Sequence, residues 1–177
     1  MNPGAGAPLV RRLHESDAAA YHALRIRALR EHPDAFTSSF EEEQGRPLAW
    51  AEARLRDDAF RPHDFFLGAF SGGALAGIVG LQGRYRPKER HNATVVGMFV
   101  APELAGRGLG RALMNELLAR SRALADLAQL DLTVTEGNHA AQALYAGCGF
   151  TIFGRQPNAI RLDGREFAKL HMLLRLR

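Results

Sequence analysis

Cysteine is almost missing from this chain: Cys148 stands alone among 177 residues. One thiol excludes an internal disulfide, and with it the small secreted scaffolds that depend on cross-links. It suits a reducing cytoplasm, which is the expected location. Long apolar runs are lacking too, and no stretch approaches the roughly 20 residues needed to cross a bilayer. The opening Met1-Asn2-Pro3-Gly4-Ala5-Gly6-Ala7-Pro8 has neither a basic start nor an apolar core. No signal peptide is read there, and residues 1–8 are expected to form a flexible lead. Repeats, low-complexity tracts and linkers are absent, so residues 9–177 are expected to fold as one domain. That length buries about 70 % of the unfolded surface. Positive charge is never dense: 23 Lys and Arg against 19 Asp and Glu leave a net charge of +4, with the arginines spread along the chain. The surplus favours anionic ligands in general terms. Without basic and aromatic residues interleaved in one window, neither nucleic acid nor a membrane is expected as a partner.

What is present is a regular alternation of strand and helix signals. Leu9 to Leu13 reads as a strand, and Ser16 as the cap of a helix carrying Ala20, Tyr21, Leu24, Ile26 and Leu29. That helix should stop by His32, because Pro33 follows. A loop over Asp34 to Phe40 leads to the acidic run Glu41-Glu42-Glu43, and a second helix starts near Pro47 with Trp50, Ala53 and Leu55. Phe65 to Phe70 and Ala74 to Tyr85 read as a hairpin turning at Ser71-Gly72-Gly73. Ala93 to Val100 is a strand rich in β-branched residues. A helix follows from about Gly108 to Leu124, with Leu109, Leu113, Leu117 and Leu124 on one face. Leu130 to Thr135 is the next strand, and Asn138 caps a short helix with Ala141, Leu144 and Tyr145. Ala159 to Leu162 and Phe167 to Leu174 close the chain as a hairpin about Asp163-Gly164. The order β-α-α-β-β-β-α-β-α-β-β implies one locally parallel β-α-β unit among antiparallel partners, a mixed sheet with helices on both faces.

The most informative stretch is Ala105-Gly106-Arg107-Gly108-Leu109-Gly110-Arg111, which joins an apolar strand to an amphipathic helix. Its glycines admit dihedrals closed to other residues, and the helix aims unpaired amides and its positive end into the turn. Such a loop cradles phosphate. A Walker loop would place Lys and then Ser or Thr after the last glycine, whereas Arg111-Ala112 follow Gly110. A dinucleotide fingerprint needs different glycine spacing beside the first strand.

Together with Glu136-Gly137-Asn138-His139-Ala140-Ala141-Gln142-Ala143-Leu144-Tyr145-Ala146-Gly147-Cys148-Gly149-Phe150, this loop resembles the GNAT (Gcn5-related) N-acetyltransferase family. That family has a strand, a loop of the form Q/R-x-x-G-x-G/A and a helix, and later an N-x-x-A-x-x-L-Y-x-x-x-G-F signature. Gly108 and Gly110 match the loop's glycines, while Ala105 stands where the family has Gln or Arg. The element order agrees over nearly the whole chain. The resemblance implies an α/β, mixed α+β fold of the GNAT type. Its central sheet is mixed and mostly antiparallel, of about seven strands, with a splayed fourth and fifth strand and helices on both faces.

It further implies acetyl transfer from acetyl-CoA to a primary amine of a small molecule or peptide, by direct attack in a ternary complex. Met98, Phe99 and Val100 would hold the pantetheine arm, and the Met98 amide would polarise the thioester carbonyl. The amides from Gly106 through Arg107, Gly108, Leu109, Gly110 and Arg111 would grip the pyrophosphate, with the side chain of Asn138 meeting the cofactor arm. Tyr145 would protonate the departing thiolate, since an ordinary phenol keeps its proton at neutral pH. The expected partners are acetyl-CoA and an amine acceptor, a homodimer is an admissible assembly, and no metal is expected.

Thr94 falls where many family members carry a glutamate base. His91, Glu136 and His171 are substitutes by residue type, and water relaying to a backbone carbonyl is another route. Cys148, between two glycines and without a neighbouring base, reads as structural. Phe36, Ser38, Ser39, Phe40, Thr94, Glu136, the run Glu41 to Glu43 and the hairpin from Asn158 to Phe167 are the acceptor-site candidates. The acids among them would suit a cationic amine. Two other functions remain open at this stage: a non-catalytic acyl-CoA binding or sensing module, and a nucleotide-phosphate enzyme.

Overall fold

The computed structural model describes residues 8–177, so the expected lead at 1–8 lies, Pro8 apart, outside the described residues. The chain runs β1 (Leu9–Arg12), a 3-10 turn (Glu15–Asp17), α1 (Ala18–Glu31), α2 (Phe40–Glu43), α3 (Leu48–Leu55), β2 (Phe65–Ser71), β3 (Ala74–Gly83) and β4 (Asn92–Val100). A 3-10 turn (Pro102–Leu104), α4 (Leu109–Ala123), β5 (Gln129–Thr135), α5 (His139–Gly147), β6 (Thr151–Leu162) and β7 (Arg165–Arg175) follow. The seven strands form one sheet in the order β1-β2-β3-β4-β5-β7-β6. Only β4 and β5 run parallel; the other pairs are antiparallel.

Strand alternation assigns the two faces. Phe65, Leu67 and Ala69 of β2 pack with Leu113, Met114 and Leu117 of α4, and Tyr145 of α5 lies on the same side. Phe66, between them in sequence, turns to the opposite face and meets Tyr21 and Leu24 of α1 and Ala51 and Leu55 of α3. Each helix is held by its apolar stripe rather than by propensity. No helix among the described residues is long and apolar enough to cross a membrane.

The feature that makes a site is a seam. β4 and β5 pair only at Asn92↔Gln129, Ala93↔Leu130 and Thr94↔Asp131. Beyond Thr94, β4 stays with β3 as far as Val100, and β5 stays with β7 as far as Thr135. The two strands therefore diverge and leave facing backbone edges without a strand partner. A register shift between Ile78 and Gly80 marks a bulge in β4. Gly97 sits in it at φ +63°, in the left-handed region that favours glycine.

Several local expectations need correction. Ser16 does not cap α1: a 3-10 turn precedes it, and the Asp17 carboxylate accepts from the His14 amide at 2.9 Å. The acidic run Glu41 to Glu43 is helical, because Ser39 and Glu42 cap one another's backbone amides at 3.2 and 2.7 Å. β6 starts at Thr151 rather than Ala159. Gly154, Pro157 and Asn158 hide the strand in the sequence, but β6 is an edge strand with register shifts there, where proline is tolerated.

Candidate active site

Two hollows meet across the seam. One, of about 520 Å³, is bounded by β4 at Met98, Phe99 and Val100, by the loop at Ala105, Gly106 and Gly108, and by α4 at Leu109, Gly110 and Arg111. The other, of about 390 Å³, is bounded by Tyr21, Arg25, Arg54, Thr94, Gly97, Tyr145 and Lys169, among others. Ala35, Phe36, Met98, Asn138 and Ala141 line both, so a ligand entering from one side reaches a ligand entering from the other at Met98 and Asn138.

The first hollow is built for an anion. Gly108 caps α4 at φ +81°, and a side chain there would be strained although nothing lies within 4 Å of its Cβ position. The Ala112 amide is the first to bond back, to the Gly108 carbonyl at 2.9 Å. The amides of Leu109, Gly110 and Arg111 thus lack helical partners and stand at the positive end of a 15-residue helix. Arg107 is not part of the lining, and its amide makes only a long 3.4 Å bond to the Leu104 carbonyl. The Arg111 side chain is turned elsewhere, donating to the Gly147 carbonyl at 2.7 Å at the end of α5. The backbone, not the arginine side chains, therefore forms the cradle. Its open glycine positions and free amides fit the pyrophosphate of acetyl-CoA, and the unpaired edge of β4 fits an extended amide-bearing arm.

Asn138 accepts from the Ala141 amide at 3.1 Å, capping α5, and the residue lines both hollows. Tyr145 is buried, with its ring edge-on to Phe150 at 6.2 Å. Burial pushes its phenol well above the ordinary value, with the nearby Cys148 adding to the shift, so it stays protonated. Burial likewise raises the Cys148 thiol against the opposing pull of Arg111, which keeps it a thiol and not a nucleophile.

The sequence-derived acceptor residues divide. Phe36, Ser38 and Thr94 line the second hollow. Phe40 lies instead in an adjoining groove with Ser39, Glu41 and the hairpin residues Ile160 to Asp163, joined to the hollow through Phe36, Thr37 and Ser38. Glu136 is not brought in: it pairs on the surface with Arg155 at 2.6 and 2.7 Å, which holds its carboxyl below the usual range. His91 and His171 also lie outside the lining, His171 meeting Gln156 at 3.3 Å. Thr94 gives its hydroxyl proton to Asp131 at 2.7 Å, and Asp131 is further paired with Arg84.

Three cations escaped the sequence reading. Arg25 is buried and doubly bonded to Glu43 at 2.8 and 2.9 Å. Burial pushes Glu43 up, but the bonds and charge of Arg25, helped by Ser38 and Arg54, outweigh it and hold the carboxyl low. Arg54 lies against the rings of Trp50 and Phe66, 4.9 and 5.1 Å from their centres. Lys169 is buried and donates to the Ala35 carbonyl and Thr135 Oγ1, both at 2.8 Å, and burial lowers its pKa. An arginine inside the apolar stripe of α1 and a lysine inside an apolar strand were the available signals.

The family model for the acetyltransferase (GNAT) family matches residues 19–150. The chain is 35% identical over 119 residues to the N-alpha-acetyltransferase RimI of Mycobacterium tuberculosis, covering 66% of this chain and 71% of that protein. It is 33% identical to the mycothiol acetyltransferase of Salinispora arenicola over 81% of this chain, but spans only 44% of that longer protein. Among solved structures, a GNAT acetyltransferase from Streptococcus pneumoniae superposes with a TM-score of 0.81 at 26% identity, covering 96% of this chain and 99% of its own.

Proposed function

The chain belongs to the GNAT acetyltransferase family, and on that premise we propose that it transfers the acetyl group of acetyl-CoA to the amine of a small molecule or peptide by direct attack in a ternary complex. The observation that carries the reading is the junction of the two hollows at Met98 and Asn138. An anion cradle and an acceptor chamber open there onto the same unpaired stretch of β4. The cradle amides of Leu109 to Arg111 hold the pyrophosphate, and β4 from Met98 to Val100 aligns the arm. When bound, acetyl-CoA supplies a thioester whose carbonyl carbon is open to attack.

The residues then divide the chemistry. The Met98 amide, re-aimed by the bulge at Gly97, donates to the carbonyl oxygen as it gains charge. The amine forms its C–N bond as the C–S bond breaks. Its proton passes to solvent through water that the unpaired carbonyls of the β4 edge hold in place, since no carboxylate lines the chamber among the described residues. Tyr145 donates its phenolic proton to the leaving sulfur. A second reading, an acyl-CoA binding module, draws on Thr94, whose hydroxyl proton is already given to Asp131.

CoA release separates the two. Wild-type protein with acetyl-CoA and a panel of primary amines should release free thiol. Tyr145→Phe should lower kcat by about 10²- to 10³-fold while the KM for acetyl-CoA stays within about threefold. Acetyl-CoA binding with no amine-stimulated thiol release would leave the binding-module reading standing.

A further inference from the structure

The acidic run at Glu41 to Glu43 suggested a cationic acceptor, yet the chamber has the opposite character. Among the residues that line it, Arg25, Arg54 and Lys169 are charged and no Asp or Glu takes part. Glu43 neutralises Arg25 from behind, in a buried two-bond ion pair. Arg54 has no such counterion. Its Nε donates to the hydroxyl of the fully buried Tyr21 at 3.1 Å, and its guanidinium carbon stands 4.9 and 5.1 Å from the ring centres of Trp50 and Phe66. Asp58 and Asp64 share a groove with its outer side but do not bond it: Asp64 pairs with Arg61 at 2.8 Å and Asp58 accepts from the Phe60 amide. Lys169 is held by two neutral oxygens, the Ala35 carbonyl and Thr135 Oγ1, and the Asp34 carboxylate offsets part of its charge without bonding it.

A half-buried guanidinium packed on two rings is oriented before any ligand arrives. Two of its nitrogens remain as donors, and the Tyr21 oxygen that accepts from Nε still has its own proton to give. A fork of that kind matches a carboxylate, which it binds through paired charge-assisted hydrogen bonds. We propose that the acceptor bears a carboxylate beside its amine, an amino-acid-like substrate, and that Arg54 with Tyr21 is its anchor, Lys169 adding positive potential from the opposite wall. This rests on the acetyl-transfer reading and names the acceptor for it. The chamber volume of about 390 Å³ suits a compact acceptor of this class.

The test compares free amino acids with their C-terminal amides and with the corresponding decarboxylated amines. Thiol release and thermal shift are both measured, the latter on protein saturated with CoA, which binds without reacting. The acid should exceed its amide by about 10- to 100-fold in kcat/KM, the difference residing in KM. It should also be the member of each pair that raises the melting temperature of the CoA complex. Arg54→Gln should bring acid and amide to equality, and Arg54→Lys should restore part of the preference. Amides or peptides with blocked carboxyl ends used as well as acids, or an acid preference that survives in Arg54→Gln, would overturn the anchor and leave acetyl transfer intact. Thiol release by no acceptor would overturn acetyl transfer, and the paired thermal shifts would still decide the anchor.

Discussion

At the scale of single residues the site is a contrast between groups fixed by local chemistry and groups fixed by distant packing. Tyr145 belongs to the first kind, since a helix cap at Asn138 and the spacing along α5 place it by local rules alone. Its burial makes a pH prediction. Because burial raises its pKa above 10.0, the proton-donating form persists at every pH up to about 10. The kcat profile of the wild type should therefore show no alkaline limb below that point that disappears in Tyr145→Phe. A limb near pH 8 or 9 abolished by this substitution would mean that the phenol titrates below its ordinary value in the working enzyme, against the direction its burial sets. Arg54 and Lys169 belong to the second kind. Nothing within several residues of either says that it faces a chamber, because α3 and β7 meet there only in the folded chain. Glu136 failed as a candidate for the matching reason: its partner Arg155 comes from a strand whose start was not legible.

Elements were legible where one period ran unbroken. The α4 stripe identifies its buried face from sequence, and the structure keeps it. β6 was not, since its irregular edge tolerates residues that elsewhere end strands. The bulge in β4 was hidden differently, because one glycine in an apolar strand reads equally as packing or as a break. Its φ of +63° separates the two, and the space around it sharpens the test. A Cβ on Gly97 would meet Phe66 at an ordinary 3.5 Å, so Gly97→Ala is opposed by backbone conformation rather than by crowding. We expect it to lower stability by about 1–2 kcal/mol in urea unfolding. It should also reduce kcat, as the Met98 amide loses its aim. Gly45→Ala is the control, because Gly45 has open space and no positive φ, and should stay within about 0.5 kcal/mol. A Gly97→Ala protein with unchanged kcat would remove the Met98 amide from the mechanism.

On the scale of the whole molecule, the sheet is two sheets sharing a short hinge of three paired positions. On one side β1 to β4 carry α1 and α3; on the other β5, β7 and β6 carry the acceptor-side hairpin. The element order made a mixed sheet legible from sequence, but the three-position β4–β5 contact is a tertiary register that no local signal records. Between the halves lie backbone groups of β4 that no strand satisfies, and under the proposed function the arm of acetyl-CoA would satisfy them. A molecule that binds the folded state alone stabilises it by about 2.7 kcal/mol at a hundred times its Kd. For a chain of this size that is a rise of roughly 5–10 °C in melting temperature. Acetyl-CoA and CoA should both produce it, and ATP at the same concentration should not, because a nucleotide triphosphate fills the cradle without an arm to lie along β4. Hydrogen exchange locates the effect: amides from Val96 to Val100 should slow with CoA, while those of β1 to β3 change little. Equal protection by ATP, or a thermal shift with no slowing along β4, would mean that the cradle binds phosphate without using the seam, and the nucleotide reading of the glycine loop would replace the one argued from Met98.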